Sequence, residues 1–263
     1  MLLALHLYLH SFDALKHSSL LVFVDYYGRG KSDTATEAKN YSIEKDVEEV
    51  EGVRKALGFD KINLLGHSFG SVVTQLYAIK YGEHVSHLII ADGLYSGKMY
   101  QEIDDNANHI ISESQPELWD SIMLLRKKGY ISSNPLHYNL YFKFLPGLLF
   151  FYNPENATQL PPDTAYPNDF NFIYYYQLTG SDGDFVIGPD LAKYDVTTQL
   201  KDLKMPVLII NGRYDKACTP KSSIKYKEYC PQAQFVIFDN SGHFPQVEEP
   251  EKEFTVIKEF LRR

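Results

Sequence analysis

The stretch 61–70 reads KINLLGHSFG, and it decides the fold because Ser68 stands between two glycines near its end. The apolar run over 61–66 predicts a strand, and the run over 70–81 predicts a helix. A serine with small neighbours between a strand and a helix is the pattern of a nucleophile elbow, a strained turn that lifts the hydroxyl above the sheet at a helix N-terminus. The backbone N–H of Phe69 then stabilises an oxyanion. We therefore predict a nucleophilic Ser68; a Gly-x-Ser-x-Gly turn without chemistry is the alternative.

A serine nucleophile needs a general base and an acid that orients the base. Folds with this elbow carry these residues in the chain order Ser, acid, His. Asp215 follows a strand in LIINGRYDKACTP, and His243 follows the last strand in FVIFDNSGHFPQVEEP. Both then lie at the carboxyl ends of parallel strands, where open α/β sheets bind ligands. Asp92, after the strand HLIIA, is the alternative acid, whereas Asp239 is too near His243 in sequence, and His67 is expected to pack or to line the pocket.

Short apolar runs rich in β-branched residues recur along the chain and predict further strands. Besides the run before Ser68, they lie at 20–25, 87–92, 205–211 and 234–239. Helical spacing predicts a helix over 42–57, with Ser42 as its N-cap and Gly58 as its stop, and another from Pro250 to the end. Apolar strands that alternate with helices indicate a mostly parallel sheet covered on both faces. The fold class is therefore α/β.

Residues 94–195 interrupt this alternation of strands and helices. The interval is dense in aromatic residues and contains the proline-containing stretch LPPDTAYPNDF. We predict that it is a mostly helical insertion, a lid (cap), in a core formed by 1–93 and 196–263. Some lid aromatics are expected to form an apolar pocket or else the lid's own core, and they are Phe170, Phe172, Tyr174, Tyr175 and Tyr176.

Composition argues against several classes of protein. With 26 Lys and Arg against 34 Asp and Glu, the net charge is −8, whereas nucleic-acid binding needs a basic patch. No apolar run approaches the roughly 18 residues that span a bilayer, so no membrane partner is expected. Cys218 and Cys230 have neither a disulfide framework nor metal-site spacing, which suits a cytoplasmic location. We expect no metal and no organic cofactor, and the sequence leaves the oligomeric state open.

Four stretches together resemble the α/β-hydrolase family, and within it the proline iminopeptidase-like branch of serine hydrolases. They are VFVDYYGRGKSD, GHSFG, GRYDKACTP and SGHFPQVEEPEKEF, and the similarity covers nearly the whole chain from about Ser19. In the first stretch Tyr27 stands where the family usually has Arg. The resemblance implies an α/β-hydrolase fold with the lid between strands 6 and 7 of the family's sheet. It also implies the roles given above to Ser68, Asp215 and His243, and a small-molecule or short-peptide substrate.

The stretch TGSDGDFVIGPDLAKYD is similar to the segment in which that branch returns from lid to core. In the branch, an acidic residue before the Phe of this segment helps to bind the free amine of the substrate, and Asp184 matches that position. The resemblance therefore implies substrate binding by Asp184, and we add the lid tyrosines Tyr174 and Tyr175. The branch often has a second acidic residue directly after the catalytic Asp. Here that residue is Lys216, which would oppose a cationic amine.

The start of the chain departs from the family's pattern. The family usually opens with two or three strands, one of which ends in a His-Gly loop that supplies the second oxyanion donor, and no such loop is evident here. We expect an N-terminally shortened chain in which a strand is missing and residues 5–17 are a remnant of the first helix. The alternative is that LLALHLYLH, residues 2–10, is itself a strand and that the pair at 10–11 replaces His-Gly. A missing strand would leave buried backbone groups unpaired, at about 1–3 kcal/mol each.

The preferred function is an aminopeptidase that releases N-terminal proline through an acyl-enzyme. A carboxylic-ester hydrolase is the second candidate. The third, from another class, is a catalytically silent relative that binds a small ligand in the lid pocket. The missing oxyanion loop favours this third candidate, whereas the presence of Ser68, Asp215 and His243 together argues against it.

Overall fold

The structure is a computed structural model that describes residues 2–5, 9–17, 19–30, 32–143, 145–159, 171–188 and 190–263. Its strands are β1 (Leu2–Leu5), β2 (Leu21–Phe23), β3 (Ile62–His67), β4 (Val85–Ala91), β5 (Val207–Gly212) and β6 (Gln234–Phe238). Its α-helices are α1 (Ile43–Ala56), α2 (Gly70–Lys80), α3 (Gly97–Ser114), α4 (Pro116–Lys127), α5 (Pro135–Phe142), α6 (Leu145–Leu149), α7 (Phe172–Thr179), α8 (Pro220–Ser223), α9 (Tyr226–Tyr229), α10 (Pro245–Glu248) and α11 (Pro250–Phe260). Short 3₁₀ helices cover Leu9–Leu15, Ala38–Asn40, Gly82–His84, Pro154–Gln159, Leu191–Lys193 and Leu200–Asp202. Within the described ranges, no helix has both the length and the apolar character that a bilayer crossing requires.

The described strands form one parallel sheet in the order β2-β1-β3-β4-β5-β6. At its carboxyl edge, His67 of β3 pairs with Ala91 of β4, which in turn pairs with Ile210 of β5. The three strands therefore end almost level, and the residues that follow them start from one edge of the sheet. This topology confirms the predicted α/β class and brings the loops after β3, β4 and β5 together.

The expectation that a strand is missing beside the elbow strand is wrong. Leu2–Leu5 forms β1, which pairs in parallel with β2 on one side and with β3 on the other. The alternative interpretation, a strand within residues 2–10, therefore holds for these four residues, and the sheet has no gap there. The remnant helix expected over 5–17 is a 3₁₀ helix over Leu9–Leu15, and residues 6–8 lie outside the described part of the chain.

Successive residues of the central strands face opposite sides of the sheet, as a sheet buried on both faces requires. On β4, Leu88 and Ile90 pack in the core formed with α1 and α2, whereas Ile89 and Ala91 pack in the core formed with α11. The first 3₁₀ helix contributes Phe12 to this second core. Helices therefore cover both faces of the sheet. This confirms the prediction, made from the apolar strands, of a sheet buried on both faces.

The predicted boundaries of α1 are also confirmed. The hydroxyl of Ser42 accepts a hydrogen bond from the N–H of Lys45 at 3.3 Å, which satisfies one free donor of the first turn. Gly58 follows the helix with φ of +72°, a left-handed conformation that glycine adopts without a steric penalty. Local capping chemistry therefore explains where this helix starts and stops.

Helices α3 to α7 lie between β4 and β5 in the chain. Part of this segment has an apolar cluster separate from the two sheet cores, and its buried members include Ala107, Ile111, Ile122, Tyr141 and Leu149. Helix α7 differs, because its Tyr174 and Leu178 pack in the core shared with α1 and α2. The division into a lid at 94–195 and a core stays a prediction, and Phe170 lies outside the described residues.

Helix α11 buries a carboxyl group against the sheet. Glu253 is 0% exposed, and neither of its carboxylate oxygens has a hydrogen-bond partner in the described part of the chain. Burial raises the pKa of Glu253 to about 8, with a smaller contribution from the charge of Glu249. The side chain is therefore largely protonated in the folded state at neutral pH, whereas it ionises in the unfolded chain.

Glu253→Gln should change how stability depends on pH. Because the folded state retains a proton that the unfolded state loses, this group lowers the wild-type free energy of unfolding as pH rises from 4.5 to about 8, and the loss stops above that window. Gln is neutral throughout, so the variant should gain on the wild type by up to roughly 1.4 kcal/mol per pH unit. Urea unfolding across the window measures this gain. Glu251→Gln, at an exposed position of the same helix, is the control, and parallel curves for Glu253→Gln and the wild type would contradict the prediction.

Candidate active site

Ser68 occupies the turn between β3 and α2. Its φ is +51°, in the left-handed region where a non-glycine residue costs about 1–3 kcal/mol. The N–H of Ser68 donates to the carbonyl of Ala91 at the end of β4, and its own carbonyl accepts from the N–H of Ser71, both at 2.9 Å. The backbone is therefore held on both sides. This is the strained strand–turn–helix geometry that the sequence pattern predicts.

Gly66 shows why this turn needs small neighbours. A Cβ added to Gly66 would lie 2.6 Å from the carbonyl oxygen of Gly70 and 2.7 Å from Cα of Ser71. Both are backbone atoms of α2, so the clash could be relieved only by moving the helix away from β3. A Cβ on Gly93, just after β4, would likewise lie 2.8 Å from Oγ of Ser71. The ends of β3 and β4 therefore lie so close to the start of α2 that glycine is needed at both positions.

The structure brings His243 and Asp215 into direct contact. The Nδ1–H of His243 donates to Oδ2 of Asp215 at 2.8 Å, and both side chains are almost fully buried. The other oxygen of Asp215 accepts from the N–H of Ala217 at 2.8 Å. Because Nδ1 carries the proton, Nε2 is the nitrogen that can accept one. An imidazole that a carboxylate orients in this way can act as a general base.

Ser68 approaches this pair through its neighbour His67. In the described part of the chain, the Ser68 hydroxyl makes no hydrogen bond. The ring centroids of His67 and His243 lie 4.9 Å apart.

His67 has a role that the sequence did not indicate. Its Nε2–H donates to the backbone carbonyl of His243 at 2.6 Å, and the ring is 0% exposed. It also lies 5.1 Å from the ring of Phe244. His67 therefore ties the elbow to the loop of His243, beyond the packing or pocket-lining role that we expected. The only feature of the sequence that could have indicated this role is the position of His67 beside Ser68. Its hydrogen-bond partner is 176 positions away in the sequence, so no local pattern reveals it.

The loop of His243 is fixed by two further groups that sequence reasoning missed. The N–H of His243 donates to the carbonyl of Phe150 at 2.6 Å, and the N–H of Gly242 donates to Glu248 at 2.7 Å. The rings of Phe150 and His243 stack with centroids 5.2 Å apart. The segment between α6 and the following 3₁₀ helix therefore helps to position the imidazole of His243.

Asp92, the alternative acid, has other partners. Its Oδ1 accepts from the side-chain amide of Asn211 at 3.0 Å and from the N–H of Gly212 at 2.9 Å. The carboxylate that meets Nδ1 of His243 belongs to Asp215 instead. The geometry therefore favours Asp215 as the orienting acid, as the sequence reasoning preferred.

Asp184 lies in a buried polar cluster next to α7. It is 1% exposed, its N–H donates to Oγ of Ser132 at 3.2 Å, and its Oδ2 has no hydrogen-bond partner among the described residues. Burial raises the pKa of Asp184 to about 7, against a smaller lowering by the Ser132 hydroxyl. Oδ2 of Asp104 is also buried without a partner in that part of the chain, and burial and then the charge of Asp184 raise the pKa of Asp104. Two carboxyl groups therefore share one enclosed region.

The two tyrosines expected to bind substrate differ in their surroundings. Burial raises the pKa of Tyr175, and Tyr100 and then the charges of Asp184 and Asp104 raise it further, so Tyr175 belongs to the carboxyl cluster. Tyr174 instead donates its hydroxyl to Oδ2 of Asp46 at 2.5 Å and is 3% exposed. The geometry therefore favours a structural role for Tyr174.

Of the two backbone donors expected to stabilise an oxyanion, one lies fully within the described residues. Phe69 is the residue before α2, where backbone N–H groups have no partner inside the helix. The alternative interpretation of the sequence places the second donor at 10–11. The pair at 10–11 lies within the 3₁₀ helix Leu9–Leu15, and residues 6–8, directly after β1, lie outside the described part.

Asp215, Cys218 and His243 bring three atoms of metal-ligand type within 4.8 Å of one another. Their chemistry does not fit a metal site. Both oxygens of Asp215 and Nδ1 of His243 are already used in the hydrogen bonds described above. Burial raises the pKa of the Cys218 thiol, whereas a metal binds the thiolate.

Gly66→Ala should destabilise the protein because its methyl group would meet the backbone of α2. We expect the free energy of unfolding to fall by at least about 1–3 kcal/mol. Gly52→Ala is the matched control, because Gly52 lies exposed in α1 with no atom within 4 Å of the added Cβ. That change should raise stability by about 0.5–1 kcal/mol. Urea unfolding of both variants measures the difference, and equal effects would contradict the close contact at the elbow.

Comparison with known proteins identifies the family of the chain. The family model of the α/β hydrolase fold matches residues 12–250. A proline iminopeptidase of Saccharolobus solfataricus is 30% identical over 245 residues, which cover 92% of this chain and 75% of that protein. A proline iminopeptidase of Heyndrickxia coagulans is 26% identical over 251 residues, which cover 94% of this chain and 83% of that protein.

Among solved structures, a proline iminopeptidase of Mycobacterium smegmatis matches with a TM-score of 0.74 at 20% identity, covering 100% of this chain and 89% of that chain. At this identity the likeness supports the fold alone. The assignment to a family rests instead on the family model, which matches most of the chain, and on the similarity to the two proline iminopeptidases. The chain belongs to the α/β-hydrolase family of hydrolytic enzymes, in its proline iminopeptidase-like branch.

Proposed function

We propose that the chain is a serine hydrolase that releases N-terminal proline from short peptides through an acyl-enzyme. The observation that carries the proposal is the 2.8 Å contact between His243 and Asp215 beside the left-handed turn at Ser68. An imidazole held by a carboxylate and a serine on a strained elbow are the two parts that acyl transfer needs. The similarity to proline iminopeptidases adds the substrate class.

The proposed reaction follows from these roles. Oγ of Ser68 attacks the carbonyl carbon of the prolyl residue, and Nε2 of His243 takes the hydroxyl proton. The N–H of Phe69 donates to the negative oxygen of the tetrahedral intermediate, while Asp215 stabilises the imidazolium. His243 then protonates the departing amine nitrogen, and the C–N bond breaks. Water attacks the prolyl ester with His243 again as the base, which releases proline and restores Ser68.

The buried carboxyl cluster supports recognition of a free amine. Asp184 and Asp104 each have an oxygen without a hydrogen-bond partner in the described chain, and Nδ1 of His137 lies 3.9 Å from that oxygen of Asp184. Because burial raises the pKa of both carboxyl groups, a bound cation would stabilise their ionised forms. Tyr175 lies at the same cluster. A prolinium nitrogen is a cation of suitable size, and its pyrrolidine ring fits an aromatic surrounding.

Lys216 does not oppose this proposal. It is exposed, and its ammonium group donates to the carbonyl of Leu148 at 3.0 Å. Its charge is therefore held at the surface. In this chain Asp104 would supply the second acidic group, in place of the acidic residue that the branch often has after Asp215.

The proposed arrangement has 94–195 as a lid over a core of 1–93 and 196–263. The contact of Phe150 with His243 supports it, because it brings the interval onto the site. A cytoplasmic location is part of the proposal, and the free thiols of Cys218 and Cys230 suit it.

A carboxylic-ester hydrolase is the second candidate. Because burial raises the pKa of Asp184 to about 7, about half of this carboxyl group is neutral at that pH, and a neutral carboxyl group also suits a neutral acyl substrate. Relative turnover of a proline amide and a neutral ester therefore decides between the two activities.

A fluorophosphonate probe should add one adduct to the intact mass of the protein, and Ser68→Ala should abolish that adduct. Proline p-nitroanilide should then be hydrolysed with a higher kcat/KM than a neutral p-nitrophenyl ester, and Ser68→Ala should lose roughly a thousandfold or more. The reverse ranking of substrates would select the ester hydrolase. Absence of an adduct on folded protein would favour the silent relative.

Asp184→Asn and Asp104→Asn should each lower kcat/KM for the proline amide by roughly 10- to 100-fold, because an amide does not pair with a cation as a carboxylate does. The neutral ester should be affected far less. Since the pKa of Asp184 is about 7, the preference of the wild type for the amine substrate should also decline as pH falls below that value. Asp105→Asn, at an exposed position next to Asp104, is the control. Equal losses on both substrates would contradict amine recognition.

A further inference from the structure

Asp92 is a second buried carboxyl group behind Asp215. It directly follows β4, is 0% exposed, and has φ of +45°. Its N–H donates to the carbonyl of Ile210 in β5 at 2.8 Å. A non-glycine residue holds such a conformation only where the surrounding packing imposes it. The backbone therefore directs this carboxyl group toward the end of β5.

Asp92 and Asp215 share one donor, the side-chain amide of Asn211. Its Nδ2 lies 3.0 Å from Oδ1 of Asp92, 3.4 Å from Oδ2 of Asp215 and 2.9 Å from the carbonyl of Cys218. An amide nitrogen has only two hydrogens for these three acceptors. The two carboxyl groups therefore lie around one nitrogen, close enough that two negative charges would repel each other strongly in this buried setting.

Oδ2 of Asp92 is the atom that lacks a donor. It is buried, and no group in the described chain donates to it. Burial raises the pKa of Asp92 well above its usual range, and the charge of Asp215 raises it further. Among the described residues, Glu253 and Cys218 also interact electrostatically with Asp92, and burial raises the pKa of each. A proton on Oδ2 of Asp92 removes the repulsion and supplies the missing donor.

We propose that Asp92 is a positioning residue, a neutral carboxylic acid whose Oδ2–H donates to the carboxylate of Asp215 and holds it against His243. The inference rests on the proposed function, in which Asp215 orients the base. With one proton on the pair, the single negative charge stays on Asp215, beside the imidazolium that forms during the reaction. Asn211 holds the two carboxyl groups together from the other side.

The experiment compares Asp92→Asn with Asp92→Gly, because both residues accept a left-handed backbone. Asn keeps a neutral donor and an acceptor, so fluorophosphonate labelling of Ser68 should stay within about threefold of the wild-type rate. Gly removes both groups, and the labelling rate should fall about 10- to 100-fold. Urea unfolding of both variants establishes that they are folded.

The pH profile of labelling separates a neutral Asp92 from an ionised one. If Asp92 is neutral, the acid limb of the profile should lie at the same pH in the wild type and in Asp92→Asn. If Asp92 is ionised, removal of its charge destabilises the imidazolium of His243 and moves the acid limb to lower pH. Such a movement, or a loss in Asp92→Asn as large as in Asp92→Gly, would overturn the proposal.

Infrared difference spectra between the wild type and Asp92→Asn report the proton directly. The stretch of a protonated carboxyl group at neutral pH is expected in the wild type, and a carboxylate band in its place would overturn the proposal. Labelling of a folded Asp92→Gly at the wild-type rate would also overturn it. If Ser68 of the wild type is not labelled at all, the proposed function fails and the positioning role fails with it. A normally labelled wild type with insensitive Asp92 variants refutes only the inference about Asp92.

Discussion

The close contact between β3 and α2 at Gly66 is the constraint on which the site depends. Because a Cβ at Gly66 would meet the backbone of α2, the chain passes from strand to helix in almost no space. Ser68 takes up the change of direction in a left-handed conformation, and its N–H is bonded to the end of β4. The same tight passage places His67 against the carbonyl of His243. This one packing contact therefore fixes the turn at Ser68 and brings His67 to the loop of His243.

A second feature is the number of carboxyl groups that the fold removes from water. Burial raises the pKa of Asp46 and Glu253 to about 8 and that of Asp184 to about 7, and it raises the pKa of Asp92 and Asp104 as well. The formal charge of −8 counts all of these groups as ionised. The folded protein is therefore less negative near neutral pH than its sequence suggests. Asp46 and Glu253 are therefore largely neutral at pH 7, and Asp184 is partly so, until a proton acceptor or a cation changes that state.

The sequence predicts the central strands, the helices beside them, the elbow and the pair of Asp215 with His243, because each depends on local pattern and on the order of strand ends. It does not predict β1, since Leu2, Leu5 and Leu9 also suit a helix and only pairing with β2 and β3 decides the matter. It also does not reveal the tie from His67 to His243, because nothing local indicates a partner at that separation. The cluster of Asp184 with Asp104 is hidden for the same reason, as the two residues come from different elements.

Helix α7 shows how one short element serves both the core and the site. Tyr174 and Tyr175 are adjacent, so their side chains leave the helix about 100° apart. Tyr174 bonds to Asp46 of α1, and Asn171 at the start of the helix donates to the carbonyl of Gly28 at 2.8 Å, so this helix is anchored to the core. Tyr175 then points to the carboxyl cluster from a helix whose position is fixed. Any opening of the proposed lid that lifts α7 must break both of these bonds, whereas movement of α4 leaves them intact.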